Sequence, residues 1–93
     1  MINMQGSQRK ELRDTLVRLF PTWDDFSLLV QDGLHENLNR ITAPKPIDHV
    51  AFELIEWVGR MGRTDELIVA ALKAMPHDDQ LQTIANSLGI VVE

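Results

Sequence analysis

Apolar residues return every three or four positions through most of this chain, and Gly or Pro interrupts the pattern at intervals of about one helix. Strict alternation, the signature of a half-buried strand, never lasts more than a few residues. Leu12, Leu16, Leu19 and Phe20 form a stripe that predicts a first helix, with Ser7 as its cap and Pro21 as its stop. Thr22 followed by Asp24 and Asp25 predicts the start of a second, because a hydroxyl cap and early carboxylates both answer the unpaired N–H groups of a first turn. Its buried face is Phe26, Leu29 and Val30, and its exit is a Schellman turn at Gly33 and Leu34. Between Glu36 and Ile41 there is room for one short helix, carrying Leu38 and Ile41 inward.

Pro46 fits the first position of a long fourth helix, where its missing N–H has no partner to lose. Ile47, Val50, Ala51, Leu54, Ile55, Val58 and Met61 then follow helical spacing without a break. Gly62 ends that helix. Thr64 caps a fifth, with Leu67, Ile68, Ala71, Leu72 and Met75 inward, and Pro76 separates it from a sixth that buries Leu81, Ile84, Ala85 and Leu88. Six helices, short connections and no internal repeat predict an all-α fold, a compact six-helix antiparallel bundle. Residues 7–89 form this domain, residues 1–6 are expected to be a disordered N-terminus, and residues 90–93 a tail or the start of a linker. Ile90-Val91-Val92 fits either a tail docked on the bundle or the first step into a following region.

With 93 residues the chain has room for one domain, and 44% apolar residues supply its core. The absence of cysteine excludes disulfides, a thiolate nucleophile and Cys-ligated metals, and leaves the redox compartment open. No apolar stretch approaches the roughly 18 residues of a membrane span, and Met1 to Lys10 lacks the apolar core of a secretory signal. A cytoplasmic domain is the expectation.

Chemistry is hard to find. His49 and Glu53 have a metal-binding spacing on the fourth helix, but no third ligand accompanies them. Glu53 and Glu56 stand side by side on one helix with no opposing wall to make them an acid–base pair. Ser7, Ser27 and Ser87 lack a glycine elbow, and neither a phosphate-cradling loop nor a dinucleotide fingerprint is present. Catalytic residues, metal ligands and cofactors are therefore not expected, and the chain reads as a non-enzyme.

The formal net charge is −5, and it is unevenly placed: residues 1–46 carry six basic and six acidic side chains, residues 47–93 three and eight. Such a chain repels phosphate backbones unless its bases gather on one face. The one basic cluster, Arg9, Lys10, Arg13 and Arg18, is diluted by Glu11 and Asp14, and the spacing predicts intrahelical pairs Lys10–Asp14 and Asp14–Arg18 worth about 0.2–0.5 kcal/mol each. Nucleic acid is not the expected partner. A small helical nucleic-acid-binding regulator is the alternative, recognisable by a steep salt dependence of duplex binding.

Apolar residues off the stripes point to protein contacts instead. At about 100° per residue, Val17 faces away from the first stripe and Val69 lies nearly opposite Leu67 and Ala71, so both are candidate contact residues. Phe52 also lies off its stripe, and is either buried against a second neighbour or a contact residue; Trp57 flanks the stripe and reads as core. Arg9, Lys10, Arg13 and Arg18 on one helix, with Glu53, Glu56, Asp65 and Glu66 on surfaces turned elsewhere, suit a head-to-tail meeting with a copy or relative of the domain. A solvated mixed-charge exterior accounts for the same pattern.

The run Phe52-Glu53-Leu54-Ile55-Glu56-Trp57, then Gly62-Arg63, Glu66-Leu67, Ala70-Ala71 and Met75-Pro76 with an Asp-rich turn to Leu81, resembles an effector-associated domain of the first type. Glu11-Leu12, Leu16, Leu19-Phe20-Pro21 and the Phe26 to Val30 segment agree, so the similarity covers about residues 8 to 82. The resemblance implies a death-fold-like six-helix adaptor of bacterial conflict systems. Such modules bring effectors to partners by like-with-like association. On that basis the expected partner is another death-like domain, with self-association included and no catalytic residue implied.

Overall fold

In the computed structural model, which describes residues 5–90, the first stripe folds as α1 (Gly6–Leu19). It buries Leu12, Thr15 and Leu16, while Leu19 is only partly covered. The helix starts before Ser7. The Gln8 side chain folds back to accept a hydrogen bond from the Gln5 N–H at 2.9 Å, so Gln5 is the cap and Ser7 lies inside the first turn. Phe20 and Pro21 turn the corner into α2 (Trp23–Leu34), with the Phe20 and Phe26 rings tilted against each other at 6.0 Å. Thr22 caps α2 as the sequence predicts, its hydroxyl oxygen accepting from the Asp25 N–H at 3.2 Å.

The exit of α2 differs from the expected Schellman turn at Gly33. Gly33 is an ordinary helical residue, and the left-handed position is His35, with φ 56° and ψ 38°. Gly33 is instead a point of close approach: a Cβ built there would lie 2.2 Å from the Cβ of Ala70. After the short α3 (Leu38–Ile41), capped by Asn37, comes α4 (Ile47–Met61). Pro46 is its N-cap, one residue outside the predicted first position. Val50, Ala51, Leu54, Ile55 and Val58 are buried, but Met61 is 57% exposed, because the helix end projects past its neighbours and leaves Arg60 and Gly62 exposed as well. Gly62, at φ 69°, supplies the left-handed cap.

Thr64 is the first residue of α5 (Thr64–Ala74) and is buried; Arg63 holds the cap position predicted for Thr64. Asp78 caps α6 (Asp79–Ser87) by accepting from the Leu81 N–H at 3.0 Å. Leu81, Ile84 and Ala85 complete the core, and Leu88 and Ile90 pack against it. Val91 and Val92, like residues 1–4 of the expected disordered N-terminus, lie outside the described residues.

The described residues thus form an all-α globule of six helices without a strand. Its most extensive packing joins helices that are not consecutive, α2 with α5 and α1 with α4, while α1 and α2 are not among the main packed pairs. A simple hairpin-by-hairpin bundle would have shown the reverse.

Candidate interaction surface

Because α1 packs on α4, the basic and acidic side chains that the sequence sets apart meet on one face. Arg9 Nη1 lies 2.8 Å from Glu56 Oε1. The surfaces are therefore not turned away from each other. Nor do the intrahelical pairs form as expected. Arg18 reaches α6, donating to Asp78 and Gln80 at 2.8 Å each, and Asp14 is approached by its neighbour Arg13 at 3.5 Å. An arginine has the reach to leave its own helix, and Asp78 is the more sheltered acceptor, so the crossing contact wins over an exposed i,i+4 pair.

Glu53 accepts from Lys45 Nζ at 2.6 Å and from the hydroxyl of the buried Thr42, so it ties the α3–α4 connection to α4. Those two donors, Lys45 first, hold its carboxyl below the usual carboxylate range. Glu66 is taken by Arg63 at 3.0 Å. Asp65 is exposed and, among the described residues, has no cation within ion-pair distance; the same holds for Lys10 with respect to carboxylates. Val17 is partly buried and packs on the core, and Val69 is partly buried.

Phe52 is not buried against a second neighbour. It is 51% exposed on α4, which turns Ala51, Leu54, Ile55 and Val58 inward. Two clefts flank it, of about 370 Å³ and about 230 Å³, and Arg13 lines both. Ile55, Arg9 and Lys10 also line the smaller one. The face is thus an aromatic side chain set among Arg9, Lys10, Arg13 and Lys45, with Glu53 and Glu56 already occupied beside it and Asp48 and His49 in the larger cleft. Among the described residues no three His, Asp or Glu side chains converge, and no helix is long and apolar enough to cross a membrane.

Two residues escaped the pattern. Leu28 is 57% exposed on α2 and sits off the Phe26, Leu29, Val30 stripe, a signal of the same kind as that of Val17. Arg63 joins three loops and helices, and periodicity holds no trace of it. Trp57, expected in the core, is partly buried under the Arg63 guanidinium, whose carbon lies 5.7 Å from the ring centroid.

The family model of effector-associated domain 1 matches residues 2–89. The chain belongs to the effector-associated domain 1 family. Among curated proteins and solved structures nothing matches it significantly. In this effector-associated domain the match takes in all six helices, extending past the residues 8–82 that the sequence resemblance covers and through α6. Membership makes the chain an effector-associated module.

The Arg18–Asp78 contact gives the module a pH dependence. Donation from Arg18, with the Leu81 N–H adding to it, holds the Asp78 carboxyl below its usual range. A depressed carboxylate stabilises fully above its unfolded value near 4, and that stabilisation is lost as pH falls through the lower folded value. The melting temperature is therefore expected to drop on acidification below about pH 4. In Asp78→Asn, which keeps a capping oxygen but no charge, this drop is expected to be smaller; thermal melts from pH 6 to pH 2 on both chains, ranges set by the carboxylate value, provide the check.

Proposed function

We propose that this domain is a non-enzymatic adaptor, a death-like module that recruits an effector by homotypic association in a bacterial defence or regulated cell-death pathway. It acts in the cytoplasm, and its partner is another domain of its own type, a second copy included. The observation that carries the reading is Phe52, a large aromatic side chain left half exposed among Arg9, Lys10 and Arg13. Aromatic and arginine side chains dominate the energetic centres of protein interfaces.

In this reading Lys10 and Arg13 make the charged contacts of α1, and Val17 and Val69 flank the association surface. Arg9 and Arg18 serve it through the carboxylates they already hold within the chain. Of the acidic residues expected opposite them, Glu53, Glu56 and Glu66 are likewise engaged, and Asp65 stands open.

Light scattering of the purified chain over a wide concentration range tests the proposal. The average mass is expected to rise with concentration at low salt and to fall back toward the monomer at about 1 M salt, where screening shortens to about 3 Å. Two differently tagged copies are expected to co-purify under the low-salt condition. A monomer at every concentration, with no co-purification, rejects homotypic recruitment.

A further inference from the structure

A second exposed apolar site lies between α2 and α5. Leu28 stands at the edge of a cleft of about 380 Å³ whose apolar lining includes Leu19, Leu29 and Met75. Asp25 and Asp32 also line it, three residues before and four after Leu28, on the same side of α2. Neither carboxylate has a cation within ion-pair distance among the described residues; Lys73 on α5 is the one base in the lining.

We infer that this cleft receives the Phe52 side of a second copy. The inference rests on the recruitment reading above and adds to it the two surfaces that meet. Size permits it, since a cavity of about 150 Å³ already holds a benzene ring. Charge favours it: beside Phe52 Lys10 stands unpaired among the described residues and Arg13 is held only by its neighbour Asp14 at 3.5 Å, with Asp48 in the larger cleft, while beside Leu28 Asp25 and Asp32 outnumber Lys73. The two clefts at Phe52 and the cleft at Leu28 share no lining residue and belong to different helix pairs, so one copy can give with one surface and receive with the other. A standard interface takes about 800 Å² per partner, and a total surface of 5596 Å² has room for both at once. Such a contact is heterologous and propagates into a ring or filament.

Complementation between two variants decides it. Phe52→Ser removes the giving surface and leaves the receiving one; Leu28→Gln does the converse. Both side chains are exposed, so each variant is expected to melt within a few degrees of the wild type, which separates interface loss from unfolding. Each variant alone is expected to self-associate more than tenfold more weakly than the wild type. An equimolar mixture is expected to regain association and to stop at a dimer of one copy of each. Wild-type assembly that persists in either variant, or a mixture that stays monomeric, overturns this pairing of surfaces and leaves homotypic recruitment standing. A wild type that never assembles overturns both.

Discussion

Gly33→Ala is expected to destabilise the domain by about 2–4 kcal/mol, although the same change in an open helix interior would stabilise it by about 1 kcal/mol. The sign is set by Ala70. A Cβ on Gly33 would stand 2.2 Å from the Ala70 Cβ, against an ordinary carbon contact of about 3.5–4.0 Å, so α2 and α5 must separate by more than an ångström. These two helices share the most extensive packing in the fold, and Phe26, Leu29 and Val30 on one side and Leu67, Ile68 and Ala71 on the other lose contact as they part. A domain of this size has about 5–14 kcal/mol in total, so the loss is a large share. Ala70→Gly in the Gly33→Ala background moves the methyl from one helix to the other and is expected to restore most of the stability. Urea denaturation of the two single variants and the double variant reads the coupling directly. Gly33→Ala unfolding at the wild-type midpoint would mean that the helices cross elsewhere.

That crossing also marks the limit of what periodicity reveals. Which residues face inward is a local property of each helix, and the inward stripes of α2, α5 and α6 lie where spacing puts them, as does the cap Thr22, whose hydrogen bond closes within three residues. Gly33 had two uses open to it, a left-handed exit and a close approach. The second depends on Ala70, 37 residues away in the chain, while His35 accepted the left-handed position despite its side chain. The candidate surface suffered in the same way. The acidic and basic residues are plain in the sequence, but whether Glu56 faces a partner or Arg9 depends on α1 lying against α4. Met61 was misplaced, and Phe52 left open between core and contact, for a related reason: spacing gives the direction in which a side chain points and does not say whether a neighbour is there to cover it.

Arg63→Ala is expected to cost about 2–3 kcal/mol, the second large effect, and it arises from a single side chain closing a helix end at long range. The last carbonyls of a helix have no partner inside it. At the end of α2 the His35 N–H and, at 3.4 Å, the Glu36 N–H turn back to Val30, which leaves the Leu34 carbonyl unanswered locally. Arg63 Nη2 donates to that carbonyl at 2.6 Å, while Nη1 reaches Glu36 at 3.2 Å and Nε reaches Glu66 at 3.0 Å. Donation to Glu66 is the largest cause pushing the guanidinium pKa above its already high value, so the charge is fixed at any accessible pH. The side chain is only 21% exposed, and a charge-assisted bond to a sheltered carbonyl is worth about 1.5–3 kcal/mol, whereas the partly exposed contacts to Glu36 and Glu66 add little. Stacking on Trp57 contributes about 0.5–1 kcal/mol. Lysine keeps the charge but cannot span three acceptors in different directions, so Arg63→Lys is expected to recover less than half of the loss. Chemical denaturation measures the total. Amide exchange locates it: Leu34, His35 and Glu36 are expected to lose protection first in Arg63→Ala, and uniform loss across all six helices would show that Arg63 acts through general packing and not as the clasp between the ends of α2 and α4.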